Sequence, residues 1–283
     1  GGTSLPSVIP GPTDNVFFDA KSGFTTSSKT VMLDNTVNCH NITFSGSAVA
    51  PTLTQSGSQT LNIYGSSEWQ TGMGTITVSN IYYRHTGEAK TIKSNGVKTG
   101  NNNLYFEEEN SISLNDSFIV GGYLFHQAGT WNTNNFDVTI GFFYDASSGP
   151  KVRVINLGNS NIYLTSREAS FITSSSLVTL NAGTSHIHFT NFVKDYNTSY
   201  QGFRVNEGQT FYDVTFEGTG GQINPHSGIV NFNKVEFKGD GAINGNNTVK
   251  TLVFSPTKTY VFASGATQTI TNLFSANTPQ CGG

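Results

Sequence analysis

The chain has 283 residues and only 12% charged side chains, with 15 Lys and Arg against 18 Asp and Glu and a net charge of −3. An average soluble domain is about 25% charged, so Gly, Ser, Thr and Asn must wet this surface; there are 31 glycines and 30 asparagines. The 12% aromatic and 35% hydrophobic content exceeds that of disordered chains, and the bias to β-branched, aromatic and turn residues argues against a helical bundle. Lys and Arg are scattered singly, so there is no basic stripe to engage a phosphate backbone and nucleic acid is not expected as a partner. No run approaches the ~18 apolar residues of a membrane span, so membrane insertion is not expected either.

Short alternating segments follow one another along the chain. The pattern predicts strands at 15–18, 30–33, 41–44, 61–64, 75–78, 81–83, 103–106 and 111–114. It continues at 117–120, 137–140, 152–155, 162–164, 177–180, 187–189, 212–216, 234–237, 251–254, 260–262 and 270–274. Gly, Asn, Ser and Asp separate them, and no segment keeps a 3.6-residue apolar period for three turns. The fold class is all-β.

Internal similarity selects the architecture. Tyr212-Asp213-Val214-Thr215-Phe216-Glu217-Gly218-Thr219-Gly220 aligns with Asn233-Lys234-Val235-Glu236-Phe237-Lys238-Gly239-Asp240-Gly241 at a shift of 21 residues. The same polar–aliphatic–x–Phe shape recurs in Asn41-Ile42-Thr43-Phe44 and Thr251-Leu252-Val253-Phe254. A period near 20 residues with two or three short strands fits one coil of a solenoid better than a propeller blade of roughly 40–50 residues. The expectation is a right-handed parallel β-helix of about 12 coils, roughly 60 Å long at the strand spacing of a sheet. Tandem β-sandwiches are the alternative architecture. Stacked coils favour Asn, whose amide can hydrogen-bond to its copy in the next coil. They also disfavour outward ladders of like charge, which accounts for the low charge content.

The segment Val8-Ile9-Pro10-Gly11-Pro12-Thr13-Asp14-Asn15-Val16-Phe17-Phe18-Asp19-Ala20 resembles the opening of β-helical modules in very large secreted and cell-surface proteins of Bacteroidota. Val37 to Phe44, Leu61 to Gly65, Leu180 to Ser185 and the two Val-x-Phe-x-Gly repeats resemble the same modules, so the similarity touches nearly the whole chain. Such modules occur in adhesins, including gliding-motility adhesins exported by type IX secretion. The resemblance implies a non-enzymatic stalk or adhesin segment, extracellular or on the cell surface. Its partners would be adjacent modules of the same polypeptide, a surface polysaccharide, and the secretion machinery during export. The family's Trp-rich opening is missing before Pro10, and Gln280-Cys281-Gly282-Gly283 reads as the start of a further unit. The implied organisation is an entry strand or cap at 1–20, a β-helix over 21–275, and that unit at 276–283. Two other functions share the fold: a polysaccharide lyase or hydrolase, and a trimeric phage tail-fibre or tailspike segment.

No catalytic, cofactor-binding or metal-binding residues are assigned from the sequence, and no cofactor is expected. Glu107-Glu108-Glu109 is the densest acidic run and reads as a solvated turn after a strand. Asp213 and Glu217 are expected to pair across coils with Lys234 and Lys238, and Arg84, Arg153, Arg167 and Arg204 lie too far apart in sequence to match with any carboxylate. His186 and His188 sit at i, i+2 on one face, a geometry that holds Zn²⁺ or Cu²⁺ only with a third ligand; an exposed polar face is the expectation. Asp14, Asn15 and Asp19 fit no calcium loop and read as turn residues. Tyr82-Tyr83-Arg84-His85 and the stretch from Tyr123 to Trp131 mix aromatic and polar groups as sugar-stacking surfaces do, although inward-facing aromatics would fill the core. Sequons occur at Asn41, Asn115, Asn197 and Asn246. Cys39 and Cys281 cannot make a disulfide framework or a zinc site, and in a straight solenoid they would be too far apart to bond.

Overall fold

A computed structural model of the chain describes residues 9–27, 29–100, 103–145, 151–167, 170–173, 176–191 and 202–276. Cys281, Asn197 and the segments 1–8 and 277–283 lie outside the described residues. Strands follow one another from Val16–Phe18 to Gln268–Ala276, and among the described residues no helix is long and apolar enough to cross a membrane. Every strand pair among the described residues is parallel. Eight strands form a first sheet, from Val16–Phe18 to Val178–Asn181. Eleven form a middle sheet, from Val37–Cys39 to Tyr260–Phe262, and nine form a third, from Lys98–Thr99 to Gln268–Ala276. Thr30–Leu33 and Thr52–Gln55 make a separate pair.

One coil visits the sheets in turn. Phe118–Val120 lies in the third sheet, Tyr123–His126 in the middle sheet and Gly129–Asn132 in the first, after which Val138–Ile140 returns to the third. The chain is therefore a parallel β-helix of about eleven turns, close to the twelve that length alone implies. Coils vary in length. Leu124 pairs with Phe143 across a short coil, whereas Phe171 pairs with Phe203 across a much longer one.

Alternation builds the core. In Asn103–Phe106 and Ser111–Leu114 every second residue is buried, so Leu104, Phe106, Ile112 and Leu114 point into the coil. Parallel, in-register stacking then sets each inward residue on its counterpart in the next coil. The repeat read in the sequence is a true register, because Val214 pairs with Val235 and Phe216 with Phe237. Phe189, Phe216 and Phe237 form an inner file with centroids 4.6 Å apart at each step, and Phe254 continues it at 5.7 Å. Asn41 to Phe44 has the same inward pattern but belongs to the first sheet, so that echo shares chemistry and not position. After Val178–Asn181 the first sheet ends, and the third sheet's strands lengthen to seven or nine residues.

The amide ladders expected of the asparagines are present. Asn181 donates to Asn156 Oδ1 at 2.7 Å and Asn156 donates to Asn132 Oδ1 at 2.6 Å, one rung per coil. Asn62 donates likewise to Asn38 at 2.9 Å and Asn41 to Asn15 at 2.7 Å. Asp14 and Asp19 cap turns, accepting from the Gly11 and Lys21 amides at 2.8 Å each.

Some strands were invisible to alternation. Gly221–Ile223 and Gly241–Ile243 begin on glycines that read as turns. The structure supplies the reason: a Cβ on Gly221 would come within 2.5 Å of the Phe216 ring, and one on Gly241 would strike the Phe237 ring. The phenyl group from one side of the coil occupies the space that a strand side chain would otherwise take. Conversely, the segment 75–78 read as a strand forms only the isolated Ile76–Thr99 bridge.

Candidate functional site

The outer face of the middle sheet carries a file of outward aromatic side chains. Register places Tyr82 beside Tyr105, Tyr105 beside Phe125, and Phe125 beside Tyr144, so four successive coils set their aromatic rings in one outward file. Tyr123 pairs with Phe142 in the adjacent file. The Tyr82 and Tyr105 rings are 4.1 Å apart and 6° from parallel, and Tyr105 and Phe125 are 4.8 Å and 8°. Arg84 closes the near end, its guanidinium 4.0 Å above the Tyr82 ring, a cation–π arrangement. Its Nε donates to Asn62 Oδ1 at 2.8 Å and its Nη1 to Glu107 Oε2 at 2.5 Å. Burial raises the Tyr82 phenol, and Tyr105 beside it adds to the rise.

The two aromatic stretches singled out in the sequence thus divide by strand parity. Tyr83, Leu124 and Trp131 are buried in the core, whereas Tyr82, Tyr123 and Phe125 face out. Tyr105, Phe142 and Tyr144 were missed because each belongs to a strand outside those stretches. Only an alignment whose offset changes from coil to coil brings them together with Tyr82 and Phe125.

The turn between the middle and first sheets gathers charge, and it overturns the reading of Glu107-Glu108-Glu109 as a solvated turn. Glu107 pairs with Arg84, and Glu109 with Lys151 at 3.2 Å. Glu108 is fully buried against Lys90, which is itself fully buried. Its carboxylate also accepts from the Thr86 amide at 2.9 Å, the Asn110 amide at 3.0 Å and the Gly87 amide at 3.2 Å. Burial alone would raise the Glu108 carboxyl; the hydrogen bonds from Lys90, Asn110 and Thr86 outweigh it and hold it down at about 2. At the same corner further along the axis, Asp145 and Arg153 form a second buried ion pair. Burial pushes Asp145 up to about 7 against the pull of Arg153. His126 is buried beside them and is pushed down to about 3, by burial and by the Arg153 charge. Arg84 and Arg153 therefore do meet carboxylates: Arg84 meets Glu107 of the next coil, and Arg153 meets Asp145 from earlier in its own coil.

On the third sheet, His186 and His188 share the outer face as expected, with ring centroids 3.7 Å apart, while Ile187 and Phe189 are buried. His186 Nε2 lies 2.8 Å from Thr215 Oγ1, and His188 Nδ1 lies 3.3 Å from Glu217 Oε1. Lys238 takes the other Glu217 oxygen at 2.6 Å, the cross-coil pair expected there. Lys234 instead pairs with Glu236 of its own strand at 2.7 Å, and Asp213 accepts from Asn233 at 2.8 Å. Among the described residues no group of three His, Cys, Asp or Glu is placed to hold a metal ion. Cys39 is buried, and its thiol is pushed up to about 12 by that burial.

Fold and surface together define a parallel β-solenoid with an aromatic stripe on its middle sheet. Comparison with protein-family models, with curated proteins and with solved structures finds no match in any of the three.

Proposed function

We propose that this chain is a non-enzymatic stalk or adhesin segment of a large exported bacterial cell-surface protein, acting by presenting its middle sheet to a polysaccharide. The observation that carries this reading is the outward aromatic file from Tyr82 to Tyr144 with Tyr123 and Phe142 beside it. Aromatic rings flanked by fixed polar groups suit sugar rings, which have apolar faces and hydroxyl rims. The in-register construction supports a stalk, since each coil needs only its neighbours and length is gained by repetition.

Affinity electrophoresis of the whole chain tests it, through gels that each hold one polysaccharide: glucan, xylan, mannan or a polyuronate. Retardation in at least one gel is expected, and unretarded migration in all of them would refute the adhesive reading. The cluster of Arg84, Glu107, His85 and Glu109 beside the stripe favours a second reading, a polysaccharide lyase or hydrolase, because such chemistry needs a base and a cation. New chain ends released from a polyuronate by the wild type, and not by Glu107→Gln, would establish it.

A further inference from the structure

The aromatic stripe is not uniform, and its geometry separates a structural part from a part open to a ligand. Rings that stack face to face along the solenoid cover one another's faces and leave only edges outward. Tyr82, Tyr105 and Phe125 are in that state, and Arg84 covers the exposed end of the stack. Beyond Phe125 the stacking breaks. Tyr144 turns 75° from Phe125, Phe142 turns 74° from Tyr144, and Tyr123 and Phe142 stand 58° apart with centroids at 5.1 Å. Tyr123 is also the most exposed of these rings, at 39%.

Beside Tyr123 and Phe142 lies a cleft of about 300 Å³, whose other lining residues are Gly121, Gly122, Gly141, Thr165 and Ser166. Three of its lining residues are glycines, and at Gly121 and Gly141 a side chain has no room. A Cβ on Gly141 would sit 2.7 Å from the Gly122 carbonyl oxygen, and one on Gly121 would strike the Gly100 carbonyl. Neither position can therefore carry a side chain beside the cleft. The Thr165 hydroxyl donates to the Ile140 carbonyl at 3.2 Å and keeps acceptor capacity. Among the described residues none that lines the cleft is charged, and Arg167 follows Ser166 directly; the ionic groups Arg84, Glu107, Glu109 and Lys151 are gathered at the middle-to-first-sheet turn.

We infer that this glycine-lined cleft is a saccharide subsite for an uncharged pyranose unit, whose apolar face packs on Tyr123 and Phe142 while its hydroxyls meet Thr165, Ser166 and the glycine backbone. The inference rests on the polysaccharide-binding reading above and specifies its place and ligand class. A volume at the low end of ligand pockets suits one sugar ring of a longer chain that continues over the solenoid surface. Among the described lining residues there is no cation, which favours neutral sugars over uronates, because a carboxylate placed against them would lose water without gaining a partner.

The test uses the whole chain in affinity gels of glucan, xylan, mannan and polyuronate, with circular dichroism to confirm folding. Retardation is expected in a neutral gel, with binding weakened about tenfold or more by Tyr123→Ala and by Phe142→Ala, as expected for an aromatic anchor at the centre of a contact. Tyr123→Phe should bind like wild type and Thr165→Val a few-fold more weakly. Tyr212→Ala, at an exposed aromatic on the third sheet outside the stripe, should keep affinity within about twofold. If Tyr105→Ala loses binding while Tyr123→Ala keeps it, the stripe binds glycan but the cleft assignment is wrong. Retardation by polyuronate alone would overturn the neutral-sugar assignment, and no retardation by any gel would remove both this inference and the reading beneath it. Should Phe142→Ala fail to fold, the more exposed Tyr123 still decides the matter.

Discussion

Replacing Lys90 by Met removes the cation from a fully buried pair and leaves the Glu108 carboxylate in place. Breaking a buried ion pair from one side typically costs about 3–5 kcal/mol. Here Glu108 keeps three backbone donors, from Thr86, Gly87 and Asn110, which places the loss near the lower end. The carboxyl, lowered from 4.5 to about 2, contributes roughly 3 kcal/mol at neutral pH, shared between Lys90 and the backbone donors that the variant keeps. That contribution is complete above the unfolded value near 4.5 and disappears as pH falls through the folded value near 2.

Urea unfolding followed by far-UV circular dichroism at pH 6.5 and pH 3 measures both effects. At pH 6.5, Lys90→Met should lose about 3 kcal/mol. Without its cation Glu108 titrates higher in the folded state, so the variant should lose less than the wild type on going to pH 3. The double variant Lys90→Met with Glu108→Gln should be more stable at pH 6.5 than Lys90→Met alone, because the buried charge has gone. A single variant whose stability at pH 6.5 matches that of the wild type, or one with the same pH slope, would refute the reasoning.

Three further outcomes follow from the core and the ladders. His126 stays neutral in the folded protein because its value is about 3, so its contribution is complete above about 6.5 and is lost as pH falls. Asp145, raised to about 7, acts in the opposite sense, its contribution being complete below the unfolded value and lost as pH rises through 7. His126→Phe should therefore gain about 2 kcal/mol relative to wild type at pH 5 compared with pH 7.5, as read by urea midpoints across that range. Phe237→Ala empties a fully buried position between Phe216 and Phe254 and should cost about 3–5 kcal/mol. Hydrogen exchange should locate its loss of protection in Ile229–Phe237 and the adjoining strands, since coupling in a solenoid runs between neighbours. Asn156→Ala removes both rungs that join Asn132 to Asn181 and should cost about 1–2 kcal/mol, measurable as a lower thermal midpoint.

Much of the fold was legible because repetition writes itself into sequence. Phe216 and Phe237 occupy equivalent places in two similar segments, and they do pair. Asparagine abundance was readable as ladders for the same reason. Strands opening on Gly221 and Gly241 were not legible, since a glycine that makes room for a phenyl ring from across the coil looks in sequence like a turn. The strand Lys90–Lys93 was hidden because its first lysine points inward, where only the buried Glu108 makes a charge tolerable.

The amino-acid sequence by itself determined the all-β class, the solenoid and the inward file of phenylalanines, because alternation and period are local or repeating properties. Only the tertiary structure decided which residues meet across coils. Coil length changes along the chain, from the short coil joining Leu124 to Phe143 to the long one joining Phe171 to Phe203. No fixed period could therefore have brought Tyr82, Tyr105, Phe125 and Tyr144 into one file, or Glu107 to Arg84. Low charge was a property of the sequence. That the densest acidic run is ion-paired, with its middle carboxylate buried on a lysine, is a property of stacking: Arg84, Lys90 and the Thr86 and Gly87 amides come from the preceding coil, and Lys151 comes from further along the chain.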